Sequence, residues 1–153
     1  MSLEKDIRQR EFRNEYHKAL LNIIYTNNHI VSSLAEVFKA YGLTRQQYNV
    51  LRILKGQLPN SASINLIKER MLDKMSDTSR MVERLRIKGL IARKGNEKDK
   101  RAVEVTITDA GLKLLDKMEP QVSEADSVLS NLTGEEATQL NNLLDKIRIK
   151  GKK

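Results

Sequence analysis

Apolar side chains along this chain recur every three or four residues, except between residues 90 and 107, where they alternate with polar ones. Val103, Val105 and Ile107 alternate with Glu104 and Thr106, which is the twofold period of a strand, and Leu90–Lys94 is predicted to form the strand before it. The charged stretch Gly95–Arg101 between them has too few apolar residues to bury itself. The alternation therefore predicts one hairpin inside an otherwise helical chain. A chain of 153 residues predicts one domain, or two small and closely packed lobes.

Start and stop signals predict four helices before the hairpin and two after it. Residues 3–41 contain neither Pro nor Gly and are predicted to form one long helix that ends near Gly42. Thr-x-x-Gln at Thr44 and Thr-x-x-Glu at Thr133 predict capping boxes, in which the hydroxyl accepts a backbone N–H bond and the longer side chain reaches back. These boxes open the second helix and the last one.

Three further helices are predicted: over 62–72, over 76–88 and from Thr108 to about Leu129. Ser76 or Asp73 is expected to cap the helix over 76–88, and the pattern does not decide between them. Pro120 predicts a kink or a break near Glu119. Compact helices followed by a hairpin and outer helices predict a mainly α fold with a small β-hairpin wing. This is a winged helix-turn-helix with flanking dimerisation helices.

The order of elements also predicts separate roles for separate parts of the chain. The outer helices are too apolar on one face for a lone monomer, so we expect them to need a partner surface. The predicted parts are an N-terminal dimerisation helix over 1–42, a DNA-binding winged lobe over 43–108, C-terminal dimerisation helices over 109–150 and a frayed tail over 151–153.

Charge is segregated along the sequence, within a formal net charge of +8. Residues 80–101 carry nine basic and three acidic side chains, whereas residues 102–147 carry three basic and nine acidic ones. A basic excess gathered on one helix and the hairpin predicts a surface that binds phosphates, and double-stranded DNA is the expected partner. The plainer alternative is a solvated basic surface.

Candidate DNA contacts are the polar and cationic side chains at the start of the helix over 76–88 and at the hairpin tip. They are Lys74, Ser76, Asp77, Thr78, Ser79, Arg80, Arg84, Lys98, Asp99 and Arg101. Arg80 or Arg84 can pair with guanine in the major groove, although an ion pair is an equal alternative for Arg84. Arg101 on a thin hairpin can enter a minor groove, and Asp99 either holds an arginine or simply forms the turn.

Aromatic and polar side chains near the junction of the first two helices are candidates for a small aromatic effector. They are Tyr25, His29, Tyr41 and Tyr48. The alternative is that such tyrosines pack in the core with one bonded hydroxyl.

Several classes of function are disfavoured by composition. The absence of Cys excludes disulfides, Cys-based zinc modules and thiol chemistry in this chain. With two His and no catalytic motif, we expect no metal site, no cofactor and no enzyme. Without an apolar leader or an 18-residue apolar run, we expect a cytoplasmic protein with no membrane partner. An RNA-binding module or a dimeric adaptor without an operator stays as the rival interpretation, although residues 80–101 contain no aromatic side chain for stacking on bases.

Three motifs resemble those of the MarR family of bacterial transcriptional regulators. They are Gly42-Leu43-Thr44-x-x-Gln47-Tyr48, Arg80-x-Val82-x-x-Leu85-x-x-Lys88-Gly89-Leu90, and Asp99-x-Arg101-Ala102 with Ile107-Thr108-x-x-Gly111. The resemblance extends from about residue 8 to residue 148. Two departures are the absence of Cys, which removes the family's thiol-oxidation mode, and residues 71–76, which differ from the common turn before the recognition helix.

The resemblance implies an obligate homodimer that binds a pseudo-palindromic operator and acts as a ligand-responsive repressor. It implies that Arg80 contacts the major groove and Arg101 the minor groove, with Asp99 orienting the wing. It also implies a small, often phenolic ligand between the dimer helices and the DNA-binding lobe.

Overall fold

The computed structural model of the chain describes residues 1–95, 98 and 102–149. The elements, in order, are α1 (Leu3–Asp6), α2 (Glu15–Lys39), α3 (Arg45–Gln57), β1 (Ala62–Ser63), α4 (Ile64–Arg70), α5 (Thr78–Ile87), β2 (Ile91–Gly95), β3 (Val103–Ile107), α6 (Asp109–Ala125) and α7 (Gly134–Arg148). A short 3₁₀ turn, Asp126–Leu129, follows α6. The predicted fold class is confirmed, because the chain is mainly helical with a small antiparallel sheet.

The first predicted helix is divided in two, so the prediction of one helix over 3–41 is wrong. The chain leaves α1 and passes through Arg8, whose φ of 54° lies in the left-handed region. Asn14 then starts α2, its side chain accepting a hydrogen bond of 2.9 Å from the backbone N–H of His17. No Pro or Gly marks the break, so the sequence carries no stop signal there.

Three helix starts are formed as predicted. Both capping boxes are complete: Thr44 with Gln47, at 3.0 and 3.1 Å, and Thr133 with Glu136, at 2.8 and 3.2 Å. Thr108 caps α6 by accepting a bond of 3.1 Å from the backbone N–H of Gly111. These bonds join residues three apart and therefore depend on local sequence alone.

The cap of α5 differs from the prediction of Ser76 or Asp73. Asp77 caps the helix, and its Oδ1 accepts a bond of 3.1 Å from the backbone N–H of Arg80. Asp73 instead accepts a bond from the backbone N–H of Met75 within the preceding turn. Three closely spaced residues that can cap compete here, and the path of the turn selects among them.

The sheet has three strands in the order β1-β3-β2, all antiparallel. The predicted hairpin is present, with Ile91 opposite Ile107 and Gly95 opposite Val103. Its first strand is shifted by one residue from the predicted Leu90–Lys94. Ala62 and Ser63 form β1 beside β3 rather than the first turn of the helix predicted over 62–72. Two residues are too few to show a strand period.

The core lies between α3, α4, α5, the sheet and α6. Its fully buried side chains include Leu51, Leu54, Ile67, Leu85, Leu115 and Met118. Helix α6 continues through Pro120 to Ala125, so the predicted break near Glu119 does not occur. The inner face of α6 is held by buried Leu115 and Met118, whose packing offsets the hydrogen bond that proline removes.

The two outer helices leave their apolar stripes uncovered. Among the described residues, Phe38 is the one buried member of α2, and α7 has none. Tyr16 is 87% exposed, Leu143 59% and Ile147 64%. No helix in the described part of the chain is long and apolar enough to cross a membrane.

Candidate nucleic-acid interface

Helix α5 packs against the core with one face and exposes the opposite face to solvent. Thr78, Val82 and Leu85 are buried at helical spacing, on the side that packs against α3, α4 and β2. Ser79, Arg80 and Arg84 are exposed. Because residues four apart share a helix face, Arg80 and Arg84 lie one turn apart on the same side. The packing of α5 thus aims two guanidinium groups away from the core.

Glu83 organises the cations beside this face. Its carboxylate accepts two hydrogen bonds from Arg86, of 2.7 and 3.0 Å, and one of 3.4 Å from Arg93 on β2. The bonds from Arg86 hold the pKa of Glu83 below its ordinary value, with help from the charge of Arg93. Two basic residues of the segment 80–101, Arg86 and Arg93, are therefore partly neutralised. The contact between Glu83 and Arg93 also joins α5 to strand β2 of the wing.

Not every candidate DNA contact in and beside the turn before α5 lies on the surface. Lys74 and Asp77 are exposed; Lys74 donates to the carbonyl oxygen of Glu69, and Asp77 caps the helix. Thr78 is only 4% exposed and does not reach the surface, which corrects its inclusion among the candidate contacts. The hydroxyls of Ser76 and Thr78 are both buried without a hydrogen-bond partner among the described residues.

The described part of the wing carries exposed basic side chains, and one of them is a predicted DNA contact. Strand β2 carries exposed Arg93 and Lys94, and Lys98 is exposed at the hairpin tip. Asp99 and Arg101 lie outside the described residues, so their predicted roles stay predictions. Arg93 and Lys94 are additional cations next to α5 that the sequence placed in the basic segment but did not single out as contacts.

The four candidate effector residues do not form one site in the described part of the chain. Tyr25 and His29 line a cavity of about 330 Å³ between α2 and the N-terminal residues. Tyr48 stacks on Phe38, with ring centroids 4.6 Å apart, and burial raises the pKa of its hydroxyl. Tyr41 bonds to Gln121 on α6. Tyr25 and Phe38 are about 20 Å apart along α2, which is too far for one small ligand.

A second cavity, which we name the α2/α6 cavity, was not predicted. It has a volume of about 520 Å³ and lies between α2 and the end of α6. Its walls include Ile30, Leu34, Val37, Gln121, Glu124 and Val128. The sequence analysis predicted that the outer helices are apolar on one face, and some of these residues belong to that face. It did not predict which helices face each other there, because this depends on the tertiary structure.

The chain is similar to known transcription regulators. A sequence profile of the MarR family matches residues 41–102. The HTH-type transcriptional repressor MdtR of Bacillus subtilis is 34% identical over 119 residues, which are 77% of this chain and 76% of MdtR. The HTH-type transcriptional regulator MgrA of Staphylococcus aureus is 32% identical over 115 residues, 73% of this chain and 74% of MgrA.

Solved structures of transcription regulators are also similar to this chain. A mutant of Escherichia coli MarR in complex with operator DNA superposes with a TM-score of 0.78 and 26% identity, covering 91% of this chain and 99% of that one. A MarR transcription factor from Planctomyces limnophilus gives a TM-score of 0.69 with 31% identity, covering 88% and 98%.

Glu83→Gln is expected to tighten binding to any DNA duplex, because it releases Arg86 and Arg93 to bind phosphates. The slope of log K against log salt concentration should become steeper by about 1 for each additional phosphate that a released arginine neutralises. Fluorescence anisotropy on unrelated duplexes at several salt concentrations measures this slope. Since the pKa of Glu83 is lowered, its carboxylate is ionised at neutral pH and the comparison needs no change of pH.

The matched control is Glu135→Gln on exposed α7, which changes the net charge equally but lies on a different helix. Equal slopes for the two variants would contradict the role of Glu83.

Proposed function

The chain belongs to the MarR family of DNA-binding transcriptional regulators, and from this premise we propose that it is a cytoplasmic, ligand-responsive repressor that binds a pseudo-palindromic operator as a homodimer. Its relatives and structural neighbours are regulators of transcription and not enzymes. In this proposal residues 43–108 bind DNA, while residues 1–42 and 109–150 join the two protomers.

The observation that carries the proposal is the outward face of α5. A helix whose inner side is buried can enter the major groove with its exposed N-terminal side chains toward the base edges. Ser79 and Arg80 occupy that position, with Arg84 one turn further. An arginine can bond to both acceptors of guanine, N7 and O6, which gives Arg80 a role in sequence recognition.

The wing is proposed to contact the neighbouring minor groove. Lys94 brings positive charge to the strand beside α5, where phosphates of the same duplex would lie, while neighbouring Arg93 is partly neutralised by Glu83. The family resemblance assigns the minor-groove contact to Arg101 and the support of the wing to Asp99. Lys98 adds a further exposed cation at the hairpin tip.

The homodimer is supported by the uncovered apolar stripes of α2 and α7. Exposed aromatic and aliphatic residues on both outer helices, among them Tyr16, Ile24 and Leu143, are unfavourable in water. A second copy offers the same stripes, and a symmetric interface between two copies would bury them together. Two DNA-binding lobes would then be fixed at one spacing, as a pseudo-palindromic operator requires.

The rival interpretations receive less support. RNA-binding modules stack bases on aromatic side chains, but α5, β2 and β3 contain no aromatic residue. An adaptor without an operator would have no need for two outward arginines on a helix of this type. Excess unlabelled RNA in the DNA-binding assay distinguishes the RNA-binding alternative.

Arg80→Ala is expected to weaken operator binding by about 1–3 kcal/mol and to relax preference at one base pair of each half-site, because it removes the guanine contact. Gel shifts with the DNA upstream of the protein's own gene, and with its single-base variants, measure both effects. Arg52→Ala is the control, since exposed Arg52 pairs with Glu119 at 3.8 Å on another face. Failure of the wild-type protein to bind duplex DNA at low salt would refute the proposed function.

Leu143→Asp combined with Ile147→Asp is expected to separate the protomers, because it places two charges in the proposed interface. Sedimentation should report a fall from twice the chain mass to 17.5 kDa. Ile87→Asp, at an equally exposed apolar residue of α5, should leave the mass of the dimer unchanged. A wild-type protein that sediments as one chain would contradict the homodimer.

The effector is proposed to be a small aromatic molecule in the α2/α6 cavity. The cavity volume suits such a ligand, and its mixture of apolar wall and polar Gln121 and Glu124 suits a ring with polar substituents. The cavity adjoins Tyr41, which bonds to Gln121. A ligand there would bias the position of α2 relative to α6 and so the spacing of the two DNA-binding lobes.

Val37→Phe tests the effector site, because the larger side chain fills the α2/α6 cavity. A panel of aromatic compounds is first screened for those that raise the thermal midpoint of the wild-type protein and release its DNA. The variant is expected to bind DNA normally and to ignore these compounds. If the same compounds release DNA from the variant equally well, the effector binds elsewhere.

A further inference from the structure

The turn between α4 and α5 exposes two large apolar side chains. Leu72 is 82% exposed and Met75 is 93% exposed, although both lie within six residues of the start of α5. The surrounding residues, Asp73, Lys74 and Asp77, are charged. An apolar pair in such a place is unfavourable in water unless something covers it in the functional complex.

The backbone of this turn is fixed by hydrogen bonds. The N–H of Leu72 donates to Oδ1 of Asn49 on α3 at 2.9 Å. Oδ1 of Asp73 accepts from the N–H of Met75 at 3.0 Å, and the carbonyl of Asp73 accepts from the N–H of Ser76 at 3.3 Å. Leu72 and Met75 are therefore held outward by a structured turn rather than exposed by a loose one.

The turn is continuous with the proposed DNA-binding face. It leads directly into the N-terminus of α5, and exposed Lys74 lies between Leu72 and Met75. Ser79 and Arg80, on the exposed side of α5, follow within five residues of Met75. The carboxylates of Asp73 and Asp77 each accept a backbone hydrogen bond, while Lys74 and Arg80 supply cations near the apolar side chains, and a DNA groove combines phosphates with base edges. The apolar area available for self-association lies instead on α2 and α7.

The chemistry of the major groove identifies the contact. Every base edge there presents hydrogen-bond donors or acceptors, and the one apolar group is the C5 methyl of thymine. We propose that Met75, with Leu72 beside it, recognises thymine by covering this methyl group next to the bases that α5 contacts. The flexible thioether side chain of Met75 can follow the curved edge of the groove. The inference rests on the proposed operator binding and adds a preferred base to it.

Replacing thymine by deoxyuridine tests the contact, because it removes the methyl group and leaves every hydrogen-bonding atom in place. An operator is first selected from random duplexes with the full-length wild-type protein, and each thymine is then replaced in turn. Wild-type affinity should fall about fourfold at one thymine in each half-site, the loss expected for one uncovered methyl group. Fluorescence anisotropy at constant salt measures each affinity.

Met75→Ala should bind the thymine operator about fourfold more weakly and should lose nothing further when that thymine becomes deoxyuridine. Met75→Leu keeps an apolar side chain and should retain the discrimination. Ile87→Ala is the matched control, since Ile87 is an exposed apolar residue at the other end of α5. It should behave as the wild type does.

Several outcomes would overturn the inference. If wild-type protein binds its operator but is indifferent to deoxyuridine at every position, or if Met75→Ala keeps the full discrimination, the proposed thymine contact is wrong and operator binding stands. If Leu72→Ala and Met75→Ala change the sedimentation of the free protein, the turn is a protein interface instead. If wild-type protein selects no duplex at all, both this inference and the proposed function fail.

Discussion

The arrangement of the whole interface depends on the burial of one side of α5. Val82 and Leu85 are almost completely removed from water, and each such side chain stabilises the packed helix by about 1.5–3 kcal/mol. Because the helix has 3.6 residues per turn, fixing these two residues also fixes the direction of Arg80 and Arg84. The same packing sets the start of α5, where Asp77 caps the helix, and hence the position of the turn before it.

The arrangement of charge on this surface matters as much as its amount. Glu83 draws Arg86 and Arg93 into a local network of ion pairs, whereas no ion pair joins Arg80, Arg84 or Lys94 to an acidic side chain among the described residues. A protein that searches a genome benefits from a high ratio of specific to non-specific binding, and exposed cations raise mainly the non-specific part. The Glu83 network fits a site in which attraction to phosphates is limited, so that contacts to the bases determine which sequence is bound.

Two groups of apolar side chains stay exposed in the single chain, and they differ in kind. The stripes on α2 and α7 are long and belong to whole helices, which suits the large area that a stable dimer buries. Leu72 and Met75 are exposed on a turn that hydrogen bonds fix, next to Lys74 and directly before α5, which suits a local contact to a base. The α2/α6 cavity lies where the outer helices meet, so dimerisation and the proposed effector would act through the same elements.

The features that depend on neighbouring residues could be predicted from the order of residues along the chain. The capping boxes at Thr44 and Thr133, the cap at Thr108 and strand β3 form from residues a few positions apart, and the segregation of charge is a property of the chain itself. The features that join distant segments became apparent in the folded chain alone. Ala62 pairs with Val105, and Thr78 is buried at the start of α5, although its polar side chain indicated a surface position. The stacking of Tyr48 on Phe38, far along α2 from Tyr25, likewise follows from packing, because burial and long-range pairing depend on which segments meet in space, and local patterns carry no record of that.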